Sequence, residues 1–103
     1  MVTNRLEQLL KLQKDLPGDS FICFALAKEY EMLQMPNEAM AHYLRLKDND
    51  PSYVGLYYHL GKLYEALGKT QEAYDTYTQG MKVALAQGDK HSHSELEGAR
   101  SFL

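Results

Sequence analysis

Residues 54–87 read VGLYYHLGKLYEALGKTQEAYDTYTQGMKVALAQ, and this stretch decides the fold because the 34 residues before it repeat its pattern. Residues 20–53 read SFICFALAKEYEMLQMPNEAMAHYLRLKDNDPSY. At a shift of 34, eight positions are identical, where two unrelated segments would share about two. The identical pairs are Leu26 with Leu60, Lys28 with Lys62, Tyr30 with Tyr64, Glu31 with Glu65, Leu33 with Leu67, Glu38 with Glu72, Ala39 with Ala73 and Tyr43 with Tyr77. A fixed period of this length predicts stacked structural repeats.

Each of the two repeats is predicted to contain two helices joined by a turn. In both first halves, apolar residues recur at steps of four, four and three, which is one face of a helix. These residues are Ile22, Leu26, Tyr30 and Leu33 in one repeat and Leu56, Leu60, Tyr64 and Leu67 in the other. Pro36 and Gly68 then interrupt the pattern, as residues that end or restart helices do. A second helix follows each turn.

The two ends of the chain are predicted to form one helix each. Residues 3–14 carry Leu6, Leu9 and Leu10 before the turn at Pro17-Gly18, and Pro17 precedes Pro51 by 34 residues. This register is typical of the second helix of a repeat whose first helix is absent. Residues 90–102 have helical apolar spacing and are interpreted as a closing helix that keeps the last apolar face dry. The sequence therefore predicts one all-α domain over residues 1–103 with about six helices.

The period and its key residues resemble those of the tetratricopeptide repeat family, whose signature is an aromatic, Leu-Gly, Tyr, Ala and a second aromatic. In residues 54–87 the matching positions are Tyr57, Leu60, Gly61, Tyr64, Ala73 and Tyr77. In residues 20–53, Cys23 replaces the first aromatic and Ala27 the glycine, and Pro51 closes the repeat. The resemblance implies an alpha-alpha superhelix, a right-handed solenoid of antiparallel helix hairpins. Small residues such as Gly61 would let the paired helices approach each other.

The resemblance also implies a peptide-binding concave face lined by the first helix of each repeat. The candidate binding residues are Phe21, Phe24, Lys28, Glu31, Met32, Tyr58, His59, Lys62 and Glu65. Phe24 and Tyr58 occupy equivalent places and offer aromatic surface, and two equivalent lysines follow one turn later. An apolar platform beside a cationic row suits a peptide with an aromatic or aliphatic anchor and a carboxylate.

Other interpretations of these residues stay open. Repeated Lys and Glu residues on a helix face are more often solvated surface than a ligand site, and Phe21 and Phe24 could be covered by the N-terminal helix. Some family members hold the terminal carboxylate of chaperone tails with lysines and asparagines on this face. Here Phe24 stands where the first lysine is expected, and Lys28 and His59 stand where asparagines are expected. These departures argue against a chaperone-tail role.

Composition excludes several other classes of function. The net charge of -3 gives no field that would attract nucleic acid. No apolar run is long enough for a membrane span, and no signal peptide is visible, so a cytoplasmic location is expected. Cys23 is the only cysteine and occupies a packed position, where a buried inert thiol is the expected state. His91 and His93 lack companion ligands for a metal. No cofactor, metal site or enzymatic activity is predicted.

The leading hypothesis is therefore an adaptor or scaffold that binds a short peptide or a helix of a protein partner. The alternative is a structural subunit that forms a homodimer or joins a larger complex without a peptide ligand. In that alternative, apolar residues at the two ends of the chain, Leu6, Leu10 and Phe102, would form the contacts. Fold alone does not choose between these functions.

Overall fold

The computed structural model describes residues 3–103, which form six helices and no strand. The helices are α1 (Asn4–Asp15), α2 (Ser20–Met32), α3 (Pro36–Asn49), α4 (Gly55–Ala66), α5 (Thr70–Ala86) and α6 (Lys90–Ser101). The predicted all-α class with about six helices is confirmed. The single-domain interpretation over residues 1–103 and its repeat bounds stay predictions.

Local sequence signals account for where the helices begin and end. Thr3, Asp19 and Asp89 cap α1, α2 and α6, since each side chain accepts a hydrogen bond from a backbone N–H three residues later. Gly68 follows α4 with a φ of +75°, as expected for a glycine that ends a helix. Gln34 is its equivalent after α2 and adopts a φ of +57°, a conformation that side chains rarely take.

The chain divides after Asp50 into two compact units. Unit 1 contains α1, α2 and α3, and unit 2, Pro51–Leu103, contains α4, α5 and α6. The core of unit 1 is formed by Leu6, Leu9, Leu26, Ala27, Ala39, Tyr43 and Leu46. The core of unit 2 is formed by Leu56, Tyr57, Leu60, Ala73, Tyr77, Ala84 and Leu96. Leu6 is buried in this core, so it is not available for the self-association contacts that the sequence predicted for it.

Two glycines of unit 2 permit close helix packing. A Cβ atom at Gly61 would lie 2.2 Å from Cε1 of Tyr77, so the expected approach of α5 to α4 at this position is confirmed. Gly80 of α5 is equally constrained, because a Cβ there would lie 2.5 Å from the Cβ of Tyr57. The contact at Gly80 was not predicted.

Candidate functional site

In unit 1, an aromatic ring, an ammonium group and a carboxylate lie together on α2. The Nζ atom of Lys28 lies 5.6 Å from the centre of the Phe24 ring, within the range of a cation–π interaction. Phe24 in turn meets Tyr43 of α3 edge-on, with 6.3 Å between ring centres. The Tyr43 hydroxyl donates a hydrogen bond to Oε1 of Glu31. Helix α3 therefore fixes the position of both Phe24 and Glu31.

Unit 2 repeats this arrangement with the residues found 34 positions later. Lys62 Nζ lies 5.6 Å from the centre of the Tyr58 ring, and Tyr58 packs against Tyr77 with 6.5 Å between ring centres. The Tyr77 hydroxyl donates to Oε2 of Glu65. Lys62 also forms an ion pair with Glu65 at 3.7 Å. Within residues 3–103, no such ion pair joins Lys28 and Glu31, so the two units differ in this contact.

The two tyrosines that support these clusters remain neutral. Burial raises the pKa of Tyr43 and of Tyr77 well above the ordinary value for a phenol, and the hydrogen bond to Glu31 or Glu65 raises it further. A neutral hydroxyl keeps its proton and can donate a hydrogen bond to the carboxylate. Each tyrosine therefore links the two helices of its hairpin through this hydrogen bond.

A cleft of about 270 Å³ opens beside the cluster of unit 1, between α1 and α2. Its lining is Arg5, Phe21, Phe24, Ala25, Lys28, Glu29 and Met32. Phe21 is 64% exposed and Met32 is 77% exposed, so α1 leaves both side chains accessible. Five of the predicted binding residues belong to unit 1, and four of them line this cleft; Glu31 is the exception.

Two clefts of unit 2 lie between α4 and α6. One, of about 320 Å³, is lined by Val54, Gly55, Tyr58, His59, Ser92, Glu95 and Leu96. The other, of about 260 Å³, is lined by Tyr58, Lys62, Ser94, Glu95, Gly98, Ala99 and Phe102. Tyr58 of α4 lines both clefts. Residues of α6 also line both, so α6 forms part of the predicted surface of this unit.

Sequence reasoning missed Glu29 and Arg5. Glu29 is only 5% exposed, and its carboxylate lies 3.3 Å from Nε of Arg5 on α1. The position equivalent to Glu29 in the other unit is Leu63, which is buried in the usual apolar way. The sequence did contain a sign of this buried carboxylate, because a charged residue stands where the other repeat has a core leucine.

The chemistry of the remaining candidates is limited. Cys23 is buried, its thiol donates to the carbonyl of His42 at 3.2 Å, and burial raises the pKa of the thiol. A thiol in this state is a poor nucleophile. Within residues 3–103, no group of three or more His, Cys, Asp or Glu side chains is placed to hold a metal ion. In the same range, no helix combines the length and apolar character needed to cross a membrane.

Comparison with known proteins identifies the family. A tetratricopeptide repeat domain protein from Salinibacter ruber, known from a crystal structure, is 46% identical to this chain. The match has a TM-score of 0.76 and covers 80% of this chain and 91% of the other. The chain belongs to the tetratricopeptide repeat family. The solution structure of the Salinibacter ruber domain agrees, with the same identity, a TM-score of 0.79 and coverage of 82% and 85%.

More distant similarities include one protein matched by sequence and one solved structure of the same fold. A TPR repeat-containing protein of Pseudomonas aeruginosa is 29% identical over 96 residues, which are 93% of this chain and 89% of the relative. The solution structure of a Bordetella parapertussis protein is similar with a TM-score of 0.82, covering 98% of this chain and 87% of the other, at 24% identity. No family model matches the chain.

Proposed function

We propose that this tetratricopeptide repeat protein binds a short peptide or a helix of a protein partner through the exposed faces of α2 and α4. Membership of the family supports a general role as a protein-interaction module. The observation that carries the finer proposal is that each unit holds a lysine over an aromatic ring, with a tyrosine–glutamate hydrogen bond supporting it. This arrangement recurs although few other surface positions are shared between the repeats.

Within each cluster, apolar area and positive charge lie side by side. Their aromatic rings are half-buried and are held by Tyr43 and Tyr77, so little conformational entropy is lost when a ligand covers them. Lys28 is exposed. Glu31 accepts a hydrogen bond from Tyr43 and forms no ion pair with Lys28. A peptide with an apolar anchor and a carboxylate matches this chemistry.

Reversing both lysine charges tests the proposal. Peptides are first selected from a displayed random library on the wild-type chain. Lys28→Glu combined with Lys62→Glu is then expected to weaken binding of a selected peptide by at least about tenfold, because attraction of its carboxylate becomes repulsion. Isothermal titration calorimetry measures the dissociation constants.

The matched control is Lys11→Glu combined with Lys82→Glu. These lysines are also exposed, one in each unit, and their reversal changes the net charge by the same amount. Binding by the control should stay close to wild type. Unchanged affinity of the Lys28 and Lys62 variant, or equal losses in both variants, would overturn the proposal.

A second candidate function, self-association, is favoured by the exposed apolar residues at the ends of the chain. Phe102 is 89% exposed and Leu10 is 38% exposed. If these residues hold two copies of the chain together, light scattering on the wild-type chain will show a dimer whose fraction rises with concentration. Phe102→Ser will lower that fraction. A monomer at all concentrations from micromolar to millimolar would rule this function out.

A further inference from the structure

Arg5 adds a second cation to the cleft of unit 1, beside Lys28. Its Nε atom lies 3.3 Å from Oε1 of Glu29, and this contact is an ion pair without a hydrogen bond. Glu29 is buried, and its other oxygen accepts a hydrogen bond from Thr3, the residue that caps α1. The enclosed carboxylate therefore holds the Arg5 side chain of α1 against α2. Since 64% of that side chain stays exposed, its guanidinium remains accessible to a ligand.

The charges that line this cleft leave an excess of one positive charge. Arg5 and Lys28 are cations, and Glu29 is the one anion among the described residues that line it. A single aspartate or glutamate would neutralise the excess, and the guanidinium fork suits the two oxygens of a carboxylate. A phosphate group carries about −1.5 to −2 charges at pH 7, so it would bring more negative charge than the cleft balances. A cationic guest would be repelled by both cations.

Apolar side chains lie on both sides of Lys28 along α2. Phe24 precedes it by four residues and Met32 follows it by four, which is about 6 Å in each direction along the helix axis. Met32 is 77% exposed and Phe24 is half-buried, so a guest can cover both. A chain that ended at its carboxylate would cover one of them and leave the other in water. The spacing therefore favours an acidic residue within a segment over the end of a chain.

The size of the cleft and the spacing of its lining favour an extended guest. In an extended chain, side chains two residues apart share a face and lie about 6.6 Å apart, close to the steps of about 6 Å along α2. A helix with its side chains is about 10–12 Å wide, which is too wide to enter a cleft of about 270 Å³. The matching pattern in the partner is an apolar residue, any residue, an acidic residue, any residue and a second apolar residue.

We propose that the cleft of unit 1 binds an internal aspartate or glutamate of an extended partner segment, with the two cations contacting its carboxylate and its apolar neighbours covering Phe24 and Met32. Arg5 is thus a further binding residue, contributed by α1. The inference rests on the proposed function, because it names the part of the partner that the α2 face takes and the residues that hold it.

Synthetic peptides test the chemistry of the guest. The first is acetyl-Gly-Leu-Ser-Asp-Ser-Leu-Gly-amide, and in two others asparagine or phosphoserine replaces the aspartate. Each is titrated into the ¹⁵N-labelled full chain at one fixed ionic strength, and amide chemical shifts give the dissociation constants. We expect shifts at residues 21–32 and an affinity at least about threefold higher for aspartate than for asparagine, because contacts to two cations are lost. The phosphoserine peptide should bind no more tightly than the aspartate peptide.

A fourth peptide tests whether the acidic residue is internal. Acetyl-Gly-Leu-Ser-Gly with a free terminal carboxylate has the charge and only one of the two apolar residues. It should bind more weakly than the aspartate peptide, because it leaves either Phe24 or Met32 uncovered.

The double variant Arg5→Met with Glu29→Gln tests the second cation. Methionine keeps an apolar stem without the charge, and glutamine avoids a buried carboxylate that has lost its cation. Because one charge of each sign is removed, the net charge of the cleft does not change. Affinity for the aspartate peptide is expected to fall at least about twofold, with little change for the asparagine peptide. The control is Lys11→Met, because Lys11 is an exposed cation of α1 outside the cleft, and it should bind both peptides like wild type.

Several outcomes would overturn the inference. These are equal affinities of the wild-type chain for the aspartate and asparagine peptides, tighter binding of the phosphoserine or free-carboxylate peptide, equal effects of the double variant and Lys11→Met, and shifts confined to unit 2. The peptide comparisons on the wild-type chain decide the matter if the double variant does not fold.

The results also separate this inference from the proposed function. If library-selected peptides depend on Lys28 and Lys62 while the synthetic peptides show no preference for aspartate, the inference fails and the proposed function stands. If the preference for aspartate and its dependence on Arg5 are found but no library peptide depends on Lys62, the cleft of unit 1 is a binding site and the wider surface over both units fails.

Discussion

Replacing Gly80 with leucine is expected to destabilise unit 2 by about 3 kcal/mol or more. A Cβ atom at this position would lie 2.5 Å from the Cβ of Tyr57 and 3.0 Å from Cδ1 of Leu96. The Cβ of Tyr57 is attached directly to the backbone of α4, so it cannot rotate away. Helices α4 and α5 would therefore have to separate, and the close packing of the core would be lost.

Unit 1 shows why leucine is instructive at this position. The residues equivalent to Tyr57 and Gly80 are Cys23 and Leu46, and these two line the same small cavity beside the turn between α1 and α2. Unit 1 thus pairs a small residue on α2 with a large one on α3, whereas unit 2 pairs a large residue on α4 with a glycine on α5. The double variant Tyr57→Cys with Gly80→Leu should recover part of the stability that Gly80→Leu loses.

Urea unfolding followed by circular dichroism measures these differences in the free energy of unfolding. The control is Gly98→Ala, because Gly98 also lies within a helix but a Cβ there would meet no atom within 4 Å. It should stabilise the chain by up to about 1 kcal/mol through helix propensity. A Gly80→Leu variant as stable as wild type would show that α4 and α5 are not held at this distance.

Replacing Tyr77 with alanine is expected to cost about 3–5 kcal/mol, as truncation of a buried aromatic ring does. Tyr77 is fully buried, its ring lies against Gly61, and its hydroxyl donates to Glu65. Removal of the ring leaves a cavity between α4 and α5 and takes away the support of Tyr58. Denaturant unfolding should show a lower midpoint for this variant.

Tyr77→Phe separates the ring from the hydroxyl. Phenylalanine keeps the packing and loses only the hydrogen bond to Glu65, which is half-buried and can turn to water. A loss of about 1 kcal/mol is expected, far less than for alanine. If the two substitutions cost the same, the ring would not be the element that holds the hairpin together.

Most of the fold was predictable because it follows from local periodicity. The 34-residue repeat, the apolar steps along each helix and the breaks at Pro36 and Gly68 are readable in the sequence. The approach of α5 to α4 at Gly61 was predictable too, because a residue without a side chain at a helix-facing position has one clear use. The inverted Tyr57–Gly80 pair was not, since complementarity in size becomes visible only when the facing helix is known.

The candidate site was predictable to a smaller extent. Equivalent positions of Phe24 and Tyr58, and of the two lysines, follow from the repeat register, and the contact of each lysine with its ring follows from helical spacing. The burial of Leu6 and the exposure of Phe21 depend on how α1 lies against α2, which helical periodicity alone leaves open.

The sequence by itself determined that this chain forms helices of a tetratricopeptide type and which residues share a helix face, because both properties depend on spacing along one chain. Only the tertiary structure decided that Glu29 is buried with Thr3 and Arg5 beside it, although these residues lie more than twenty positions away. It also decided that one carboxylate oxygen of Glu29 is buried without a hydrogen bond. Contacts between distant segments depend on packing geometry, and no local pattern encodes that geometry.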